Sequence, residues 1–311
     1  METETIHYSN LSDLFTKIPD SFLKNQYSLI YRGMQNSEWQ LTSTLHRHMD
    51  SLRTSAQLLK NEKVSVFLAS KTASTQVEDM LIKNLKANVS INGDLPTHIT
   101  ESFGNLEWLQ YGQHFGLPSP LLDWTKSPYV ALYFALQNQV TESGNRAIWT
   151  LNTDMLVFLN TVIKERIYPQ NQFYEYNYPL QSLIIANDSY AVNKRIAYQL
   201  GLFTREYRGL SIFEWNKRVT EKLDITLTSP LLQKHVWPNV EADRIEYLQV
   251  LDRMNINSRV LFPDIEGSVR EAKENVLWGL IKENTKRMSY KSNSDGQVHY
   301  ETHVTSADRL G

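Results

Sequence analysis

The chain has 311 residues, a hydrophobic fraction of 41% that includes 7 Trp and 16 Tyr, and a formal net charge of -2. That much apolar material supports the core of one large domain or two modest ones and excludes a disordered or fibrous chain. The absence of cysteine excludes disulfides, thiolate nucleophiles and cysteine-ligated zinc or iron–sulfur sites, and near-neutral charge provides no field that would by itself draw the protein to nucleic acid.

The opening METETIHYSNLSDLF lacks a basic start and an apolar core, and no run approaches about 18 uninterrupted apolar residues, so the expectation is cytoplasmic residence without a membrane partner. Ser12 with Leu14, Phe15 and Ile18 predicts a short amphipathic helix. In YSLIYRG, Tyr27, Leu29 and Tyr31 alternate with Ser28, Ile30 and Arg32, which predicts a strand ending at Gly33. Residues 36–46 read as a polar turn and a second short extended piece, and 54–88 as mostly helical. The lysines at 60, 63, 71, 83 and 86 fit a solvated helical face better than a nucleic-acid patch.

Residues 106–136, LEWLQYGQHFGLPSPLLDWTKSPYVALYFAL, are the densest in candidate chemistry. Gln113, His114, Asp123, Trp124 and Thr125 stand between two helical patterns, and loops carry function more often than helices do. Pro118 and Pro120 stiffen the crossing, with helix resuming near Pro128. Asp123, Thr125 or Ser127 can cap that second helix, so a capping role for Asp123 weighs evenly against a ligand contact. His114 has no second His at metal-ligand spacing, and no metal is expected.

TESGNR at 141–146 predicts a turn, AIWTLN a strand, 154–165 a helix, and LQSLIIA at 180–186 a buried strand. KRIAYQLGLFT at 194–204 reads as a loop or strand edge, and SIFEW as another strand. Ile245, Leu248 and Leu251 predict a helix, followed by an LFPD turn and a last helix with Val276, Leu277 and Leu280. The expected organisation is one domain over 1–285 with a mobile polar tail over 286–311.

Five segments in order, IYRG at 30–33, TSTLHR at 42–47, QHFGLPSPLLDWTKSPYVALYFA at 113–135, KRIAYQLGLF at 194–203 and VLFPDIEG at 260–267, together resemble the FRG domain. Pro118, Ser119 and Pro120 depart from the family's usual Pro-Thr-Arg before Leu-Leu-Asp-Trp, so any role of that arginine is absent or moved. The resemblance implies an α+β fold of mixed sheets flanked by helices, similar to ADP-ribosyltransferases. It further implies an intracellular toxin of the kind found in phage defence, held by an antitoxin protein, with RNA ahead of protein as the acceptor.

On that resemblance Arg32-Gly33 stands for the first strand motif, Thr125 with Tyr133-Phe134-Ala135 for the second, and Gln199 for the polar residue of a late strand. Transfer of ADP-ribose from NAD passes through a transition state with oxocarbenium character. Arg32 suits a pyrophosphate, and Gly33 permits close backbone approach. Tyr31, Trp124 and Tyr133 are candidate faces for nicotinamide, against a core role that aromatics at such spacing fill more often. Gln113 and His114 complete the cofactor-binding candidates.

Gln199 can hydrogen-bond a ribose but cannot supply a carboxylate, which leaves Asp123, Glu206 or Glu214. Arg195 is a structural candidate to pair with Asp123. Walker, GxGxxG, HExxH and GxSxG patterns are absent, which removes the corresponding kinase, dehydrogenase, protease and hydrolase readings. A non-catalytic nucleotide or nucleic-acid binding module, and an NAD glycohydrolase, remain the alternatives.

Overall fold

The computed structural model describes residues 4–23, 28–92, 95, 97–139, 144–167, 184–186, 194–206, 209–285, 289–292 and 298–301. The chain divides into two compact units, Met1–Ile256 and Asn257–Gly311, so the main unit ends earlier than the expected boundary at 285.

The main unit is α+β. Its strands are β1 (Glu4–His7), β2 (Leu29–Met34), β3 (Leu121–Thr125), β4 (Asn145–Asn152), β5 (Ile184–Ala186), β6 (Gly201–Arg205) and β7 (Leu232–Pro238). They form one seven-stranded sheet in the order β1-β7-β4-β2-β3-β6-β5. Among the described residues only β1 and β7 run parallel, so the sheet is mixed.

Its helices are α1 (Leu11–Ile18), α2 (Thr44–Leu58), α3 (Glu62–Leu68), α4 (Ala73–Asn92), α5 (Thr97–Ser102), α6 (Asn105–His114), α7 (Pro128–Leu136), α8 (Thr153–Ile167), α9 (Lys194–Tyr198), α10 (Ile212–Leu223) and α11 (Glu241–Arg253), with a π turn at Pro19–Leu23. On one sheet face Leu156, Leu159 and Ile163 of α8 and Ile212, Trp215 and Val219 of α10 pack with Ile30, Trp124, Trp149, Leu151 and Leu202 of the strands. A second cluster joins Trp108 and Leu109 of α6, Ile82 of α4 and Ile196 of α9 to Leu121 and Phe203. The repeated burial of large apolar side chains between helix and sheet is the main favourable term holding these layers.

Several local expectations are corrected. Residues 36–46 contain no second extended piece: Ser43 caps α2 by accepting the His46 N–H at 3.1 Å. β2 runs through Gly33 to Met34. The 54–88 stretch is three helices, broken by the left-handed Lys60 and the turn before Ala73. The proline crossing holds strand β3, and Ser127 rather than Asp123 caps α7, accepting the Val130 N–H.

SIFEW opens helix α10. Ser211 and Glu214 form a reciprocal capping box there, and Ile212, Trp215, Val219 and Leu223 repeat at helical spacing into the core. Residues 194–204 are helix α9, a turn and strand β6. Of the run 180–186, Ile184–Ala186 is β5, and the remainder lies outside the described residues, as does the start of the turn at 141–146.

The second unit contains α12 (Ser258–Leu261), α13 (Ile265–Thr285) and a hairpin of β8 (Ser289–Ser292) with β9 (Val298–Glu301). Ser258 donates to Glu274 at 2.9 Å, tying α12 to α13. The hairpin falls where a polar tail was expected, and the rest of 286–311 lies outside the described residues.

Candidate functional site

β2 is paired with β4 from Leu29 to Met34, and β3 with β6 from Leu121 to Thr125. Between themselves β2 and β3 pair only at Tyr31 and Thr125. The sheet is therefore two ladders joined by one rung, with a seam between the strands beyond it.

Main-chain groups left unpaired in such a seam need other partners. The Asp123 carbonyl accepts from Nη1 of Arg32 at 2.5 Å, and the same nitrogen lies 3.4 Å from the Asp123 carboxylate. Gln113, at the end of α6, donates through Nε2 to the other carboxylate oxygen at 2.6 Å. Arg32 thus pairs with Asp123, and Arg195 lies on α9. With Asp123 60% exposed, the pair contributes little to stability. Nε of Arg32 and Oε1 of Gln113 are buried without a partner, so the cluster retains one unused donor and one unused acceptor.

Gly33 has a packing role. A Cβ there would lie 1.8 Å from the Ala131 carbonyl oxygen and 2.7 Å from the Ala135 nitrogen, so its missing side chain is what lets α7 lie directly on β2. The space is filled by helix backbone rather than left open to a ligand.

The three candidate aromatics are core residues. Tyr31 is buried, donates its hydroxyl to the Phe22 carbonyl at 3.1 Å and has its phenol pushed up to about 12 by burial. Trp124 is buried and donates from Nε1 to the Thr204 hydroxyl at 2.9 Å. Tyr133 is buried on α7, with its ring edge-on to Phe134.

Thr125 is also buried, its hydroxyl donating to the Gln199 carbonyl at 2.7 Å and accepting the Ser127 N–H at 3.1 Å. This fixes the turn between β3 and α7. Gln199 stands in the turn after α9, not on a strand as expected. His114 ends α6, half-buried beside Phe115.

Glu206 follows β6 at the other end of the β3–β6 ladder, where its N–H donates to the Pro120 carbonyl at 2.8 Å. Pro120 precedes Asp123 by three residues, about 10 Å along a strand. Oε1 of Glu206 accepts the Ser43 N–H at 2.9 Å, while Oε2 is buried and unpartnered. Burial pushes this carboxyl up to about 7, against the opposing effects of the Ser43 hydrogen bond and of His46 and Arg47. Glu214 is spent in the α10 capping box. Among the proposed acids, Asp123 is therefore the one beside Arg32.

A row of side chains escaped the sequence reading. Trp149 stands opposite Arg32 and Lys234 opposite Trp149, with the Lys234 ammonium 5.3 Å from the indole centroid. Its detection required β7, whose LQKHVWP carries three polar residues and no clear alternation.

Among the described residues no group of three or more His, Cys, Asp or Glu is placed to hold a metal, and no helix is long and apolar enough to cross a membrane. Residues 27–144 match the FRG domain family. The match contains three of the five resembling segments; those at 194–203 and 260–267 lie beyond it. Searches of curated proteins and of solved structures return no match.

Proposed function

We propose that the chain is an NAD-consuming ADP-ribosyltransferase that acts in the cytoplasm as a toxin, with RNA as its acceptor ahead of protein. The observation that carries this reading is the seam between β2 and β3, where a guanidinium, a carboxylate and an amide converge with one buried donor and one buried acceptor unused. A dinucleotide offers matching groups: pyrophosphate oxygens for Arg32, and ribose hydroxyl or carboxamide donors for Gln113 and Asp123. The toxin setting, the antitoxin partner and the RNA preference rest on the resemblance to FRG proteins.

NAD supplies an ADP-ribosyl group: an acceptor hydroxyl oxygen bonds the anomeric carbon as the bond to nicotinamide breaks, releasing nicotinamide and the hydroxyl proton. Arg32 holds the negative pyrophosphate, releasing Asp123 from its ion pair. Asp123 then lies free to favour positive charge developing on the sugar, and Gln113 keeps the carboxylate oriented. The binding-only reading is favoured by a different observation, the burial of all three candidate aromatic faces.

The test incubates the protein with NAD labelled in its adenylate phosphate, together with separate pools of RNA, DNA and protein. Label on RNA, lost in Arg32→Ala and Asp123→Ala, is expected. Label on protein alone would move the acceptor, free ADP-ribose would make the enzyme a glycohydrolase, and intact NAD throughout would overturn the enzyme reading in favour of a binding module.

A further inference from the structure

A second cleft, distinct from the seam, lies between α2 and the start of α4. His46, Met49 and Arg53 line it from α2, Ser74, Thr75 and Glu78 from α4, and Pro120, Glu206 and Gly209 from the sheet side. Its volume is about 90 Å³. At roughly 10–15 Å³ of such volume per water, that is room for about six to nine waters, the size of one sugar-phosphate unit and too small for a dinucleotide.

Two independent features point to a ligand there. Glu206 is 3% exposed, yet its Oε2 has no partner, an arrangement costly for a buried polar atom unless something binds it. The other feature is the first turn of the 20-residue helix α4. The Ala73 N–H is taken by the Ser70 carbonyl and the Gln76 N–H by the Thr72 carbonyl. Among the described residues no protein acceptor meets the N–H groups of Ser74 and Thr75. Such a turn favours an anion, and Lys71 and the hydroxyls of Ser70, Ser74 and Thr75 stand around it.

The other charges are largely matched within the protein. Glu78 pairs with Arg205 at 2.5 Å, and Arg53 with Asp50 at 2.8 Å. What remains is an anion-binding end at α4 and Lys71 and an acceptor end at Glu206.

We propose that this cleft binds a sugar phosphate, with the phosphate on the first turn of α4 beside Lys71 and a sugar hydroxyl donating to Oε2 of Glu206. The site stands whether or not the seam transfers ADP-ribose. The same chemistry is offered by a free sugar phosphate and by the backbone of a single-stranded RNA.

The test follows the backbone amide resonances of the full ¹⁵N-labelled chain during titration with inorganic phosphate, ribose 5-phosphate and a short oligoribonucleotide. Ribose 5-phosphate is expected to shift the amides of Ser74, Thr75 and Ser43, whose N–H is held by Glu206, whereas inorganic phosphate shifts the first two only. Lys71→Glu, at an exposed position, is expected to weaken both at least tenfold. Tighter binding of the oligoribonucleotide than of ribose 5-phosphate assigns the natural source to RNA, and weaker binding assigns it to a free sugar phosphate. Absence of these shifts at millimolar ligand, or shifts indifferent to Lys71→Glu, overturns the proposal.

Discussion

Replacing Glu206 by Gln tests the electrostatics of the buried carboxyl directly. In the folded chain burial holds this carboxyl at about 7, above its ordinary 4.5. A carboxyl with a raised folded value binds its proton more tightly in the native state. Its contribution to stability is therefore fully present below pH 4.5, falls as pH rises toward 7, and is flat above. At about 1.4 kcal/mol per unit, the loss across that window is roughly 3 kcal/mol. Glutamine carries no charge at any of these values and keeps an oxygen for the Ser43 N–H. Glu206→Gln should therefore lie within about 1 kcal/mol of the parent chain at pH 5 and be more stable by roughly 3 kcal/mol at pH 8. His235, which burial lowers to about 4, acts in the opposite sense, losing stability as pH falls from 6.5; it is common to both proteins and cancels in their difference. Urea unfolding at the two pH values, with midpoints compared at unchanged slope, reads the effect. An equal shift at both values, or a loss at pH 8, would refute the reasoning.

Gly33→Ala should destabilise the chain by about 3 kcal/mol or more, because the added methyl meets backbone rather than a movable side chain of α7; a urea-measured loss under about 1 kcal/mol would show that α7 can shift. Trp124 and Trp149 are almost equally buried, but only Trp124 has a hydrogen-bond partner for its indole N–H. Trp124→Phe is therefore expected to cost about 1–2 kcal/mol more than Trp149→Phe in the same assay, since it leaves the Thr204 hydroxyl without its donor. Equal losses would assign both tryptophans to packing alone.

The elements legible in the sequence are those whose periodicity is long enough to be unambiguous. The helices carrying Leu14, Leu132 and Leu251, and the strand of Ile148 and Thr150, fall where their spacing puts them. SIFEW failed because five residues alternate equally well on a strand or on the first turn of a helix. The deciding signal was the Ser211–Glu214 box and the later Val219 and Leu223. LLDWT was hidden by its prolines, which describe the crossing before the strand but not the strand itself. Strand pairing is a tertiary fact, and Asp123 meets its partner Phe203 only after 80 residues.

The same distinction governs the site. Arg32, Gln113 and Asp123 were each singled out by residue type and position, but their convergence depends on the point at which two neighbouring strands stop pairing. No local pattern encodes that point. Burial then separates side chains that look alike in the sequence. Tyr31, Trp124 and Thr125 meet their polar needs inside the protein. Arg32, Gln113 and Glu206 each keep a buried polar atom unmet. An unmet buried donor or acceptor costs free energy in the unliganded protein, and it points to a ligand where other polar groups converge beside it, as at the seam and the Glu206 cleft, rather than where it stands in the apolar core, as the indole N–H of Trp149 does. The two places also differ in kind: the seam combines an exposed carboxylate with a guanidinium, whereas the Glu206 cleft sets a buried carboxyl against a helix N-terminus. Each offers partners to a phosphate and a sugar hydroxyl, so size separates them: the cleft, at about 90 Å³, is too small for the dinucleotide proposed at the seam.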